Sequence, residues 1–334
     1  MHAETRDFNH QLGNMPFVLS LLLGGMLVPL QADDTAISKP QMGDYFSQME
    51  SPFKGLSGFS LHGTQVTQLN PKLFSADKLK APNTGSVSIV FSDNKFYIQD
   101  DTATGSEGYK IHQIETYDGK VYQAYNESEQ RLFVETTNDP HINPLRRWSN
   151  PFLQPWEFFS PGRIASDYDL PSLKELKNED YWKTFPTRIK NITDGSYGNK
   201  DCLILEIPSG KEVRTQADSY YRVYLSKQDG YFPIAWERNE VATSHPIYIY
   251  HVDELAAVSI NRNLSIYYPK KSTLQYFGAS TLKNYTGTEI AQVRTVIDSF
   301  QINPQSSPDA FTIDPSRAST IWDQDHNILI NVPH

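Results

Sequence analysis

A single cysteine, Cys202, among 334 residues removes several kinds of chemistry at once. One thiol cannot close an internal disulfide. Nor can it build a cysteine zinc site, an iron–sulfur cluster or a paired redox centre. Blocks of positive charge are also missing. The pairs Arg146-Arg147 and Lys270-Lys271 stand alone, and 39 acidic against 30 basic residues leave a net charge of -9. Nucleic-acid binding needs clustered Lys and Arg, so that class is excluded as a partner. No Gly-x-Ser-x-Gly elbow, phosphate loop, dinucleotide fingerprint or His-Glu-x-x-His pair is present, so those families of catalysis have no footing. The nine histidines are scattered, with His245 and His251 at opposite ends of one predicted strand. No metal, cofactor or catalytic residue is expected from these patterns. There is no fixed-period repeat, which argues against a propeller or solenoid.

Long apolar runs are scarce as well. One occurs, Pro16 to Leu30 (PFVLSLLLGGMLVPL), followed by Gln31-Ala32 and the acidic pair Asp33-Asp34. Its length and the small residue Ala32 just after it fit a signal-peptide core better than a spanning helix. Residues 1–32 are therefore read as a signal peptide cleaved after Ala32. The leader is unusual, with only Arg6 as a strong positive charge before the run and Leu30 at the -3 position. No cysteine follows it to carry a lipid. The expected location is the periplasm or cell envelope, or outside the cell.

What the chain has in quantity is aromatic residues, with 19 Tyr, 17 Phe and 5 Trp, a composition that favours strands. Residues 55–137 alternate apolar and polar side chains in about five or six stretches. Asp118-Gly119 between two of them is a strong hairpin signal. Gln41 to Met49 has helical spacing, with Met42, Tyr45, Phe46 and Met49 on one face. Strands are expected again at Arg188 to Ile192, Asp201 to Ile207, Tyr220 to Leu225, Tyr231 to Arg238, Pro246 to Val252, Leu264 to Tyr268 and Leu274 to Phe277. Glu289 to Asn303 leans to strand through its β-branched residues. A last hairpin is expected from Phe311-Thr312-Ile313 and Ile328 to Val332. Strands so outnumber helices that the fold class is mainly β, a curved antiparallel sheet with a few helices covering its concave face. Such a sheet often encloses an apolar cavity.

Residues 138–185 interrupt this pattern. Pro140, Pro144, Pro151, Pro155, Pro161 and Pro171 forbid a regular element there. Trp148, Phe152, Leu153, Trp156, Phe158 and Phe159 forbid a solvated linker. The stretch is read as an ordered excursion packed on the sheet, with a helix over Ser172 to Phe185.

Three stretches carry a resemblance. They are Tyr224 to Ile234 (YLSKQDGYFPI), Ser265 to Pro269 (SIYYP), and Ile297 to Asn303 (IDSFQIN) with Phe311 to Pro315 and Thr320 to Asp323 after it. Their order, with Asn150 to Pro155 in mid-chain, is similar to exported proteins related to outer-membrane lipoprotein-sorting proteins, the LolA-like fold. The resemblance spans roughly residues 40 to 330. It implies one half-barrel over residues 33–334 whose concavity holds acyl chains in the carrier itself.

The expected role is thus an exported, non-catalytic carrier-like protein for a lipid or acylated ligand, in peripheral contact with a membrane. Phe152, Leu153, Trp156, Phe158 and Phe159 are the candidate ligand-binding residues, a lid of large apolar area. The same residues could simply pack the excursion onto the sheet. A different reading is a secreted polysaccharide hydrolase. Glu157 is the one acid within that apolar run, and burial would raise its pKa as a general acid requires. A purely structural envelope protein is the third. Two further features have bland readings. Cys202 lies in an apolar strand pattern as a small buried side chain. Asp323, Asp325 and Asn327 match the first spacings of a calcium loop, but Ile328 replaces its glycine, so a hairpin turn is expected. Sequons at Asn126, Asn191, Asn263 and Asn284 would matter only in a eukaryotic secretory route.

Overall fold

In the computed structural model, residues 42–74, 83–104, 109–138, 150–159, 171, 173–211, 218–279 and 286–333 are described. The leader at 1–32, Trp148, Asn284 and much of the excursion lie outside these residues.

The alternating stretches become β1 (Gly58–Leu69), β2 (Asn83–Ser92), β3 (Lys95–Thr104), β4 (Tyr109–Tyr117), β5 (Val121–Asn126) and β6 (Arg131–Thr136), an antiparallel meander. Its turns use the expected chemistry. Asp118 Oδ1 accepts the backbone N–H groups of Lys120 and Val121 at 2.8 and 2.7 Å, and Gly119 takes φ 98°. The second half forms another meander. It runs through β7 (Asn191–Tyr197), β8 (Lys200–Lys211), β9 (Asp218–Ser226), β10 (Phe232–Glu240), β11 (Pro246–Asn261), β12 (Leu264–Phe277) and β13 (Glu289–Ile302).

The two meanders join at their ends. β13 pairs antiparallel with β1, from Phe59↔Ile302 to Leu69↔Ala291. The chain therefore starts at the middle of the sheet, walks out to β6, crosses through the excursion to the far edge at β7, and walks back to β1. β14 (Thr320–Asp323) then pairs parallel with β6, and β15 (Ile328–Asn331) pairs antiparallel with β14. The result is one curved, unclosed sheet of fifteen strands among the described residues, with β15 and β7 at its two edges. It is the antiparallel-dominated half-barrel expected from the sequence, with few helices.

Those helices lie on one face, called here the inner face. α1 (Met42–Lys54) buries Met42, Phe46, Met49 and Phe53, the stripe read from the sequence with Tyr45 half-buried, and it runs past Pro52 to Lys54. The segment 173–185 is two short helices rather than one, α2 (Leu173–Leu176) and α3 (Glu179–Thr184). Asn178 breaks the helix, because its side chain accepts the N–H groups of Asp180 and Tyr181 and caps α3. Lys177 Nζ reaches the Leu56 carbonyl at 2.9 Å and ties this pair to the α1–β1 corner. A smaller core lies on the opposite, outer face. There residues 304–319 cross β4 to β6 and cover Ile114, Tyr125 and Leu132 with Ile313 and Ala318.

Three further expectations need correction. Phe311-Thr312-Ile313 is not a strand. Pro308–Phe311 forms a 3-10 turn capped by Ser307, and the last hairpin is built from β14 instead. Arg188 does not begin a strand, because Pro186 holds Phe185–Arg188 in a 3-10 turn and β7 starts at Asn191. The stretches 264–268 and 274–277 are one strand, β12. Pro269 is accommodated opposite Leu255 beside a register shift, since a bulge removes the need for its missing N–H.

The corner before β1 is tightly fitted. A Cβ on Gly58 would stand 2.1 Å from the Phe91 carbonyl oxygen, whereas one on Gly43 in α1 would meet nothing within 4 Å. Gly58→Ala should therefore destabilise by about 2 kcal/mol or more, through backbone displacement. Gly43→Ala should be neutral or stabilise by up to about 1 kcal/mol. Urea unfolding of the two variants beside the parent checks both signs.

Candidate functional site

The mid-chain aromatics form a strap across the inner face. Asn150 opens it, its Oδ1 accepting the Phe152 N–H at 3.2 Å and its carbonyl the Leu153 N–H at 3.2 Å. Pro151 seats over Gly63 of β1, its Cγ 3.5 Å from where a Cβ would stand, an ordinary contact distance. Residues Gln154–Phe159 then make a 3-10 turn, the tight form that two nearby prolines permit.

Each candidate ligand-binding residue has a definite place. Phe152 lies on the seam between the two meanders, with ring centroids 4.8 Å from Phe59 of β1 and 5.0 Å from Phe300 of β13. Trp156 meets Phe53 of α1, Trp182 of α3 and Phe232 of β10 edge-on, at 5.2, 6.1 and 5.6 Å. Phe159 packs on Trp182 at 3.9 Å and on Phe185 at 4.8 Å. Phe158 reaches Phe185 at 6.0 Å. Phe152, Leu153, Trp156, Phe158 and Phe159 are all at most 2% exposed. The structure thus brings all five together on the inner face, buried in the same core as α1 and Trp182 of α3.

Hydrogen bonds hold the strap's backbone at both ends. Trp236 Nε1 of β10 donates to the Gln154 carbonyl at 3.1 Å, and Tyr181 Oη of α3 donates to the Phe159 carbonyl at 2.7 Å. One polar atom of the strap stands apart. Trp156 Nε1 is buried with no hydrogen-bond partner among the described residues, a condition with a desolvation penalty of about 1–3 kcal/mol. Trp156 also lines a crevice of about 20 Å³ with Met49, Pro52, Phe53, Phe232, Ile266 and Tyr267, and Asp229-Gly230 at its rim. That volume holds a single water-sized group.

Glu157 of the same turn meets Tyr221 of β9. It is half-buried, and its Oε1 accepts a hydrogen bond from Tyr221 Oη at 2.7 Å. Burial, and next the Glu157 charge, push the Tyr221 phenol well above its ordinary pKa. Tyr221 packs edge-on to Trp236 at 5.6 Å, and the Arg238 guanidinium lies 5.6 Å from its ring centre. Arg238 Nε in turn donates to Ser219 Oγ at 3.1 Å. The carboxylate is thus a member of a polar cluster with Tyr221, Arg238 and Ser219.

On the outer face the sheet assembles a group that sequence reading missed. Ser88 Oγ stands 2.9 Å from His62 Nδ1, and Asp298 lies 3.9 Å from His62 Nε2. Serine, histidine and aspartate come from three adjacent strands, so no linear motif could have signalled them. Both His62 and Asp298 are well exposed, and the acid is beyond hydrogen-bond reach. A nucleophilic triad needs a held imidazole and a donor pair for the oxyanion. This arrangement is a cross-strand polar contact. No group of three or more His, Cys, Asp or Glu suited to a metal occurs among the described residues. Asp323 to Asn327 makes the expected turn, Asp323 accepting from the His326 N–H at 3.2 Å. No helix among the described residues is long and apolar enough to cross a membrane.

What this geometry defines is a class, an open antiparallel half-barrel whose inner face is filled by its own aromatic strap. No family model and no curated protein matches the sequence. Among solved structures, the chain is similar to a DUF1329 family protein from Desulfovibrio piger, with 10% identity, a TM-score of 0.43, and 82% of this chain and 96% of that one covered. It is similar to an outer membrane lipoprotein-sorting protein domain from Vibrio parahaemolyticus, at 7% identity and TM-score 0.44, over 82% of this chain and 97% of that one. It is also similar to the lipoprotein LppX from Mycobacterium tuberculosis, at 11% identity and TM-score 0.26, over 80% and 99%. The lipoprotein-sorting group named from the sequence is met again among these structures.

Cys202 is buried in β8, and burial pushes its thiol up to about 11. The native state therefore keeps the proton that an unfolded chain loses first, so this residue's contribution to stability falls as pH rises past about 9. A disulfide-exchange reagent at pH 8 should leave the native thiol intact for hours and titrate one thiol at once in denaturant. Rapid modification of native protein would place Cys202 at the surface.

Proposed function

We propose that this protein is exported to the cell envelope and binds a long-chain lipid or acylated molecule on the inner face of the half-barrel, without catalysing its conversion. The carrying observation is the strap. It buries five large apolar side chains beside a crevice and leaves the Trp156 indole N–H, a donor in apolar surroundings, without a partner. A carbonyl or ester oxygen of an acylated ligand would satisfy that donor. In this reading the strap fills the face when no ligand is bound and yields to one. The apolar run at 16–30 supports export.

The energetics select the ligand. Moving five large apolar side chains into water costs about 2 kcal/mol each, so roughly 10 kcal/mol in all. Each buried methylene returns about 0.8 kcal/mol. A ligand must then bury about a dozen methylenes to displace the strap, which long acyl chains do and short ones do not.

Protein purified without detergent should yield a lipid on solvent extraction, identified by mass spectrometry. A delipidated sample should bind fatty acyl chains of about twelve or more carbons and ignore hexanoyl and octanoyl analogues. Chains brominated along their length should quench the tryptophan fluorescence. Trp156→Phe keeps an aromatic ring but removes the donor, and should weaken binding of an ester-bearing ligand about threefold to tenfold. Absence of lipid together with absence of quenching would sink the proposal. So would turnover of glycans that is lost in Glu157→Gln, which would favour hydrolysis.

A further inference from the structure

The two edges of the sheet differ in character. β7 presents Thr193, Asp194, Gly195 and Ser196, and Asp194 is ion-paired with Lys227. Polar and charged residues of this kind blunt an edge against pairing. β15 does the opposite. All four of its residues are exposed, and Ile328, Leu329 and Ile330 are 47%, 53% and 43% exposed. Isoleucines point to one side and leucine to the other, so both faces of this edge are apolar.

The register shows which backbone groups are unused. Val332 N–H donates to the Ser319 carbonyl at 2.9 Å, and the ladder continues with Ile330 opposite Ile321 and Ile328 opposite Asp323. In an antiparallel pair hydrogen-bonded residues alternate. The even-numbered residues of β15 therefore bond inward to β14, and Leu329 and Asn331 aim their N–H and C=O outward. Pro333, next in that outward series, has no N–H to offer, which ends the pairing edge there.

The sequence of this edge reads the same in both directions. Asn327-Ile328-Leu329-Ile330-Asn331 is centred on Leu329, the residue whose backbone faces out. We propose that β15 pairs antiparallel with β15 of a second copy of this chain, about a two-fold axis at Leu329. In that register Leu329 exchanges both backbone hydrogen bonds with the partner's Leu329. Ile328 meets the partner's Ile330, and Asn331 meets the partner's Asn327. The interface is isologous, as two-fold symmetry demands. No like charges face one another. Asp325 would stand opposite the partner's Pro333, and its carboxylate is already held by the Thr136 N–H at 3.1 Å. Trp322, cross-strand from Leu329, would widen the apolar contact on that face. Five residues from each copy bury less than the about 1,200 Å² of a standard interface, so the dimer forms at high concentration and parts on dilution.

Sedimentation of the full chain from micromolar to several hundred micromolar tests this. The expected result is a shift from monomer to dimer with concentration. Leu329→Lys and Leu329→Glu each place like charges on the two-fold axis and should be monomeric throughout. An equal mixture of the two should dimerise again, which a misfolded variant could not do. Leu329→Cys should oxidise to a cross-linked dimer, because hydrogen-bonded partners sit about 5.5 Å apart, within disulfide reach. Asn331→Cys, whose partner is Asn327 rather than itself, should cross-link far less. Wild-type protein that stays monomeric at all concentrations overturns the proposal. So does a dimer indifferent to Leu329→Lys, or a charge-swapped mixture that fails to associate.

Discussion

The pairing of β1 with β13 holds everything else in place. It joins residues near 60 to residues near 300 and converts two local meanders into one continuous sheet. Neither half has the inner face alone, since Phe59 comes from one and Phe300 from the other, with rings 6.1 Å apart. The seam is locked at its end by Asn303. Its Oδ1 accepts the N–H groups of Ser57 and Gly58 at 2.8 and 3.2 Å, and its own N–H donates to the Gly58 carbonyl at 2.8 Å. Asn303 takes φ 47° to do this, a conformation asparagine tolerates better than most residues. Closing so long a loop is slow, so the meanders should form before the seam.

Once the seam exists, the inner face has an apolar centre that something must cover. The strap does so with rings that meet mostly edge-on or tilted, the arrangement that aromatic quadrupoles favour. Its phenol and indole neighbours, Tyr181 and Trp236, each spend their polar atom on a strap carbonyl. Two buried carbonyls of the 3-10 turn, those of Gln154 and Phe159, are thereby satisfied. Trp156 Nε1 departs from this pattern, and it borders a crevice that holds a single water-sized group.

Burial also sets the electrostatics. The phenols of Tyr221, Tyr224 and Tyr250 are all pushed up, with burial the largest cause in each, and Tyr197 reaches about 12. Many charged side chains lie exposed, but Glu50, Glu115, Arg238 and Glu240 are buried. Glu254 on β11 is held near 2 by hydrogen bonds from Lys270 and Lys271 of β12, in the open, where such pairs add little to stability. The inner face thus combines an apolar centre with a few buried ionisable groups, among them Glu115 beside Tyr122 and Arg238 beside Tyr221.

Much of this was legible in the order of residues. Period-two alternation with Asp-Gly and similar turns located most strands, because both signals are local. Met42, Phe46 and Met49 announced the helix face for the same reason. The prolines and aromatics of the excursion identified the segment that covers the sheet. Three things were not legible. The pairing partner of β1 was hidden, since sequence distance carries no information about which edge a strand meets. The hairpin partner of β15 was misplaced at 311–313, where Pro308 and the Ser307 cap win over a short alternating pattern. The contact of Ser88, His62 and Asp298 was invisible, because it exists only where three strands lie side by side. Local chemistry decided which elements form. Long-range register decided which side chains share a face, because a strand's neighbours are set by packing and backbone pairing across the whole sheet.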